Sequence, residues 1–127
     1  AAVRAFDYEA WKAVLRRHLG KSADAMIENE EKEHKYDPAA CEARCAAIID
    51  HWDDIGAVID TLPKADAVAS ALAAIGAPTK ATEIGLSPAE ERAAFLMTKD
   101  VRDKYIGSRL LFDTGELDAV ADALFPA

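Results

Sequence analysis

Six glycines, five prolines and two cysteines are all that this 127-residue chain contains, and only 7% of it is aromatic. So few turn-formers and large flat side chains argue against a sandwich or a barrel. Nor is there a run of alternating β-branched residues, so no sheet is expected. No stretch approaches the roughly twenty apolar residues that cross a bilayer. No charged segment leads into an apolar one, so neither a membrane anchor nor a secretory signal is read, and a cytoplasmic setting is expected. The chain opens on Ala1-Ala2-Val3 without an initiator Met, as a processed protein or a stretch within a longer gene product would.

The missing motifs exclude as much. There is no Gly-x-Gly-x-x-Gly or Walker-type loop to seat phosphates on a helix N-terminus, and no His-Glu-x-x-His. No Ser, His and Asp stand at triad-like spacing. A formal charge of −8 argues against a nucleic-acid partner, which needs clustered Lys and Arg, but leaves a small anionic ligand open. Catalytic, cofactor-binding and metal residues are therefore assigned to none of the positions.

What is present is helix. Half the chain is apolar, much of it alanine, and the length suits one domain that buries a core without staples. The pattern predicts an all-α helical bundle spanning 1–127. Asp7 caps a first helix to Leu19, with Trp11, Val14, Leu15, His18 and Leu19 on one stripe and Gly20 closing it. Ser22 caps a second through about Lys35, with Ala23, Met26, Ile27 and Glu30 on one side. The charge run Glu28 to Lys35 reads as a solvated face with i,i+4 pairs rather than a cation site.

Asp37-Pro38 opens the longest expected helix. Cys41, Cys45, Ile48, Trp52, Ile55, Ile59 and Leu62 follow at alternating steps of four and three, a seam that ends at Pro63. On it, Ile48, Trp52, Ile55 and Ile59 are expected to be core. The two cysteines, four apart, read as small buried hydrophobes, because His18, His34 and His51 form no ligand set with them. A short helix, Asp66 to Ile75, turns Val68, Leu72 and Ile75 inward. Ser87-Pro88-Ala89-Glu90 is a capping box that starts a helix to about Lys104, burying Ala93, Ala94, Met97 and Val101. Short turns at Arg109–Asp113 and Glu116–Leu124 finish the chain.

Positive charge gathers at Lys99, Arg102, Lys104 and Arg109. Local spacing favours structural pairing of Arg102 and Lys104 with Asp100, Asp103, Asp113 or Glu116.

The segments Gly76-Ala77-Pro78-Thr79, Glu83-Ile84-Gly85-Leu86-Ser87, Val101-Arg102-Asp103-Lys104-Tyr105 and Asp113-Thr114-Gly115-Glu116-Leu117 occur in an order that resembles the C-terminal end of glycerol-1-phosphate dehydrogenases. The bacterial, arabinose-operon branch is the most similar. Gly20-Lys21 and Trp52-Asp53-Asp54-Ile55 extend the resemblance, which runs from about Leu15 onward.

The resemblance implies a helical domain of the dehydroquinate synthase and iron-containing alcohol dehydrogenase type. Such enzymes pair it with an N-terminal α/β domain that holds NAD(H) or NADP(H). A divalent metal (Zn, Ni or Fe) sits on one Asp and two His that lie upstream of the matched stretch. The metal polarises the ketone of dihydroxyacetone phosphate, and hydride delivery gives sn-glycerol 1-phosphate.

This chain has neither the nucleotide loop nor the two-His run, so alone it is expected to be inactive and to bind neither cofactor nor metal. Lys104 stands where Arg is common, keeping the charge without the fork. Arg102, Lys104 and Lys99 become candidates for holding the substrate phosphate. The implied partners are the rest of a parent enzyme, a small phosphorylated substrate and a possible second copy. A rival reading is a free-standing helical interaction module that binds a partner helix on the Cys41–Leu62 seam.

Overall fold

The structure, a computed structural model, describes residues 2–101 and 103–126. Among them the elements are α1 (Ala2–Ala5), α2 (Tyr8–Leu19), α3 (Ser22–Lys32), α4 (Pro38–Asp50), α5 (Trp52–Asp60), α6 (Ala65–Ala74), α7 (Pro88–Met97), α8 (Gly107–Thr114) and α9 (Leu117–Leu124). Two 3-10 turns, Ala81–Ile84 and Thr98–Asp100, flank α7, and no strand occurs among the described residues. The all-α class therefore holds. No helix is long and apolar enough to cross a membrane among the described residues.

The caps act as read from the sequence. Asp7 accepts the Ala10 N–H at 2.9 Å and Asp37 accepts the Ala40 N–H at 2.9 Å, each satisfying a donor that the helix start leaves open. Ser87 and Glu90 bond reciprocally, with the Ser87 N–H donating to the carboxylate at 2.8 Å. Gly115 ends α8 at φ 85°, a left-handed conformation that costs glycine nothing.

Two cores form. Leu15 of α2 packs with Ala23 and Ile27 of α3 and Met97 of α7, with Trp11 and Leu19 beside them. Phe112 of α8 packs with Val3, Cys41 and Leu117, with Phe6, Tyr36 and Leu111 beside them. Thus α8 is the centre that α1, α4 and α9 surround, and α2 and α3 pair beside it.

Four expectations are corrected. The long seam helix is two helices: the backbone leaves helical geometry at His51 (φ −115°, ψ 23°), between α4 and α5. Of its seam, Cys41 and Ile48 are buried, Cys45 and Ile55 are half-buried, and Trp52, Ile59 and Leu62 are exposed, Trp52 by 55%. The physical reason is that α5 packs appreciably only on α4, so the kink leaves most of the second half of the seam uncovered.

Next, Val68 and Leu72 of α6 and Ile75 just after it face solvent rather than the core, since α6 makes at most slight contact with other elements. Third, α3 stops at Lys32 without a side-chain cap from Ser22, and a turn with His34 at φ 53° follows. That turn redirects Lys35 and Tyr36 inward, Lys35 buried and Tyr36 half-buried.

Last, α7 ends at Met97 instead of Lys104. The Thr98 hydroxyl donates to the Phe95 carbonyl at 2.6 Å and meets Ser108 Oγ at 2.9 Å, tightening the chain into a 3-10 turn. Lys99 and Asp100 thereby point into the core, while Ala94 and Val101 are exposed.

Candidate functional site

The turn at residues 98–100 positions a heavily bonded buried carboxylate. Asp100 is 2% exposed and accepts hydrogen bonds from Trp11, Tyr36, Lys99 and Arg109. Trp11 Nε1 donates at 2.7 Å from α2, and the Tyr36 hydroxyl at 2.7 Å from the turn after α3. Lys99 Nζ donates at 2.8 Å and Arg109 Nη2 at 2.6 Å from α8. One carboxylate thus ties its own turn to three other segments, α2, the turn after α3 and α8. A buried charge is tolerable on such terms, because its solvation is replaced by donors, two of them cationic.

Aromatic faces complete the surroundings. Lys99 Nζ lies 3.4 Å from the Trp11 ring centre, and the Arg109 guanidinium carbon 4.8 Å from that of Tyr36. Glu30 is buried beside the cluster, 3.9 Å from Arg109 Nη2 and within 3.4 Å of the Tyr8 hydroxyl.

Protonation follows from this packing. Burial, the hydrogen bond with Asp100 and the Asp100 charge push the Glu30 carboxyl up to about 9, so Glu30 is neutral at pH 7. Burial also opposes the Asp100 charge, but its hydrogen bonds with Glu30, Lys99 and Tyr36 and the Lys99 charge hold it below the usual carboxylate range. Lys99, taken out of water, falls to about 8 despite its Asp100 partner. Burial beside Asp100 likewise raises the Tyr36 phenol.

A second carboxylate, Asp113 near the end of α8, lies at the other side. Arg44 of α4 grips it with Nε at 2.9 Å and Nη2 at 3.1 Å, and the Tyr105 hydroxyl donates at 2.9 Å. Cys41 Sγ sits 3.4 Å from the same carboxylate. Burial and the Asp113 charge push the Cys41 thiol up to about 12, the opposite of what a nucleophilic cysteine needs. Cys41 and Cys45 are both free and face α8, as small apolar side chains would.

Beside Arg44, Lys99 and Arg109 opens a recess of about 160 Å³. Lys35, Arg44, Lys99, Lys104 and Arg109 line it, against Glu33 and Asp103, with Tyr105 at its wall. Among the described residues, this is where cations gather in an acidic chain.

The phosphate candidates fare differently here. Lys99 lines the recess but is committed to Asp100, with only 1% of its side chain exposed. Lys104 stands at the rim, 75% exposed, with Asp103 as a loose partner at 3.7 Å. Arg102 lies outside the described residues. Asp100 and Asp113, weighed in the sequence as partners for Arg102 or Lys104, bond to Lys99 and Arg109 and to Arg44.

Sequence reasoning missed Asp100 as a hub and Arg44 as a participant. Glu30 did carry a signal, since it falls in register with Ala23, Met26 and Ile27 on the packed side of α3. Among the described residues no group of three or more His, Cys, Asp or Glu is placed to hold a metal ion.

Comparison of the chain with family models, with curated proteins and with solved structures finds no significant match.

Proposed function

We propose that this chain is the helical portion of an NAD(P)- and metal-dependent oxidoreductase of the glycerol-1-phosphate dehydrogenase kind, interconverting dihydroxyacetone phosphate and sn-glycerol 1-phosphate. The observation that carries the reading is the α5–α6 arm. Trp52, Val58, Ile59, Leu62, Val68 and Ile75 all lie open to solvent there. Apolar surface of that extent on consecutive helices marks a face that something else covers. In such an enzyme the cover is the nucleotide-binding portion or a second copy, and the segments that carry the family resemblance flank the arm.

The described residues offer no donor set for the metal, and the sequence holds no loop for the nicotinamide cofactor. Neither group is assigned to this stretch, and no step of hydride transfer is derived through it. Its part is to wall the substrate cleft and to supply contact surface.

The test is an assay of the whole gene product with NADH or NADPH, dihydroxyacetone phosphate and added zinc, nickel or iron. The reading expects substrate-dependent cofactor oxidation that a chelator abolishes, with the 127-residue chain alone inactive. A gene product with no such turnover under any metal would contradict it.

A second reading, a free-standing helical interaction module, draws on the same arm and on the apolar groove between Ile55, Ile59, Ile106 and Leu110. The reading frame upstream of Ala1 separates the two. Metal-ligand and nucleotide-binding segments there support the dehydrogenase, and a start codon immediately before Ala1 supports the module.

A further inference from the structure

We propose that this chain pairs with a second copy of itself, each copy laying α6 into the apolar groove between α5 and α8 of the other. The groove, about 490 Å³, is walled by Ile55, Val58, Ile59 and Leu62 on one side and by Ile106 and Leu110 on the other. No residue of α6 lines it.

A matching occupant stands in the same chain. Val68, Leu72 and Ile75 follow at steps of four and three, the anchor spacing of a helix that lies in a groove. Ala67 and Ala71 share their side and leave room for two helices to approach closely. All three anchors are exposed, because α6 makes at most slight contact with its own body. The connection from α5 to α6 is Thr61-Leu62-Pro63-Lys64, with Lys64 extended (φ −66°, ψ 146°), and α6 leaves it without folding back onto α5. The α6 of a second copy carries no such tether to the groove it enters.

Area and charge favour this occupant. The chain exposes 8542 Å², whereas a folded monomer of 13.7 kDa exposes about 6,600 Å². The surplus, about 2,000 Å², falls within the roughly 1,000–2,500 Å² that each partner of a stable homodimer covers. Residues 63–80 carry Lys64, Asp66 and Lys80, a net charge of +1 in a chain of −8. The receiving helix α5 carries Asp53, Asp54 and Asp60 and no cation. The entering segment and the helix that receives it are thus opposite in sign. Each copy gives one helix and accepts one, so the assembly closes at two.

The experiment is sedimentation equilibrium of the 127-residue chain from about 1 to 300 µM. A dimer of twice 13.7 kDa is expected, with a Kd on the order of 10 µM because two copies of net charge −8 repel. Below that concentration the chain is a monomer with α6 open. Leu72→Glu, on α6, and Ile59→Glu, in the groove, each put a carboxylate into an apolar contact. Each is expected to weaken pairing by about tenfold or more, with the circular dichroism of the dilute chain unchanged. An equal mixture of the two variants is expected to associate more tightly than either alone, because one of its two contacts joins an unaltered α6 to an unaltered groove.

A chain still monomeric at about 300 µM overturns the pairing and leaves the arm to another part of the gene product or to another protein. So does a dimer that Ile59→Glu leaves intact, which would join α6 to α6, and so does growth beyond two copies. A mixture no tighter than its better component also overturns it. Pairing stands apart from the dehydrogenase reading, which turnover of the gene product decides.

Discussion

Two regions of this molecule reverse the usual distribution of polarity. In the body, α3, the turn at 98–100 and α8 bury Glu30, Lys99, Asp100, Arg109 and Asp113. In the arm, every residue from Ala57 to Glu90 is exposed except the half-buried Ala77 and Ala81, and Val58, Ile59, Leu62, Val68 and Ile75 are among those in water. The difference teaches that burial here follows the presence of packing and bonding partners rather than side-chain polarity, even though Glu30 Oε1 and Arg109 Nε and Nη1 are left without a hydrogen bond. Asp100 is buried because four donors converge on it, whereas α6 is exposed because other elements make at most slight contact with it. The body is a finished core, and the arm is half of an interface.

The sharpest way to break this contrast is to strand the buried cations. Asp100→Ala leaves Lys99 and Arg109 without their shared counter-charge, and the expected loss is about 3–5 kcal/mol in chemical denaturation. A loss under about 1 kcal/mol would show that the cluster is solvated and that the body has no polar keystone.

A paired truncation comes next in size. Leu15 is fully buried, so Leu15→Ala should cost about 2–5 kcal/mol. Trp52, on the sequence seam but 55% exposed, should lose less than about 1 kcal/mol as Trp52→Ala. Equal losses at the two positions would place the arm inside the core after all.

That pair also measures how far the sequence could be read. Helix starts were legible because caps are local: Asp7, Asp37-Pro38 and Ser87-Glu90 need only their own next turn. The stripe on α2 was legible in part because its partner α3 follows after one short turn, whereas its contact with Met97 of α7 was not. Heptad spacing through Trp52 and Leu62 described a face correctly but not whether anything meets it, and exposure is a property of the partner. The end of α7 was hidden for a related reason. Asp100 leaves the helix to bond Trp11, Tyr36 and Arg109, contacts across up to 89 residues that no window along the chain contains. The candidate site suffers the same limit, since Lys99 and Lys104 were visible as charges while Arg44 and Glu30 join them only through folding.

A third prediction turns on protonation. Glu30 is raised in the folded state to about 9 from an ordinary carboxyl value, so the folded chain holds a proton that the unfolded chain has released. Its contribution is present in full below about pH 4.5 and is lost as pH rises toward about 9, by up to about 1.4 kcal/mol per pH unit. Lys99, lowered to about 8, acts in the opposite sense only above that pH, where its contribution grows with rising pH. Stability should therefore fall from pH 5 to pH 8. Glu30→Gln, neutral throughout and still a donor to Asp100, should flatten that slope in denaturation curves, and a slope unchanged by the substitution would locate the titration elsewhere.

The smallest expected effect is in the arm. Ile75→Lys, at a position 79% exposed, should change the stability of the chain by no more than about 0.5 kcal/mol. In a longer gene product whose remainder covers α6, the same substitution should instead weaken assembly, read as a change in sedimentation or in co-purification of the parts.

Amide hydrogen exchange tests the division between body and arm most directly, because it reads local opening residue by residue. The account expects the amides of α2, α3, α4 and α8 to exchange only through global unfolding, and those of α6 to exchange through local opening at far lower cost. Slow exchange in α6 equal to that in α8, in the 127-residue chain alone, would contradict it.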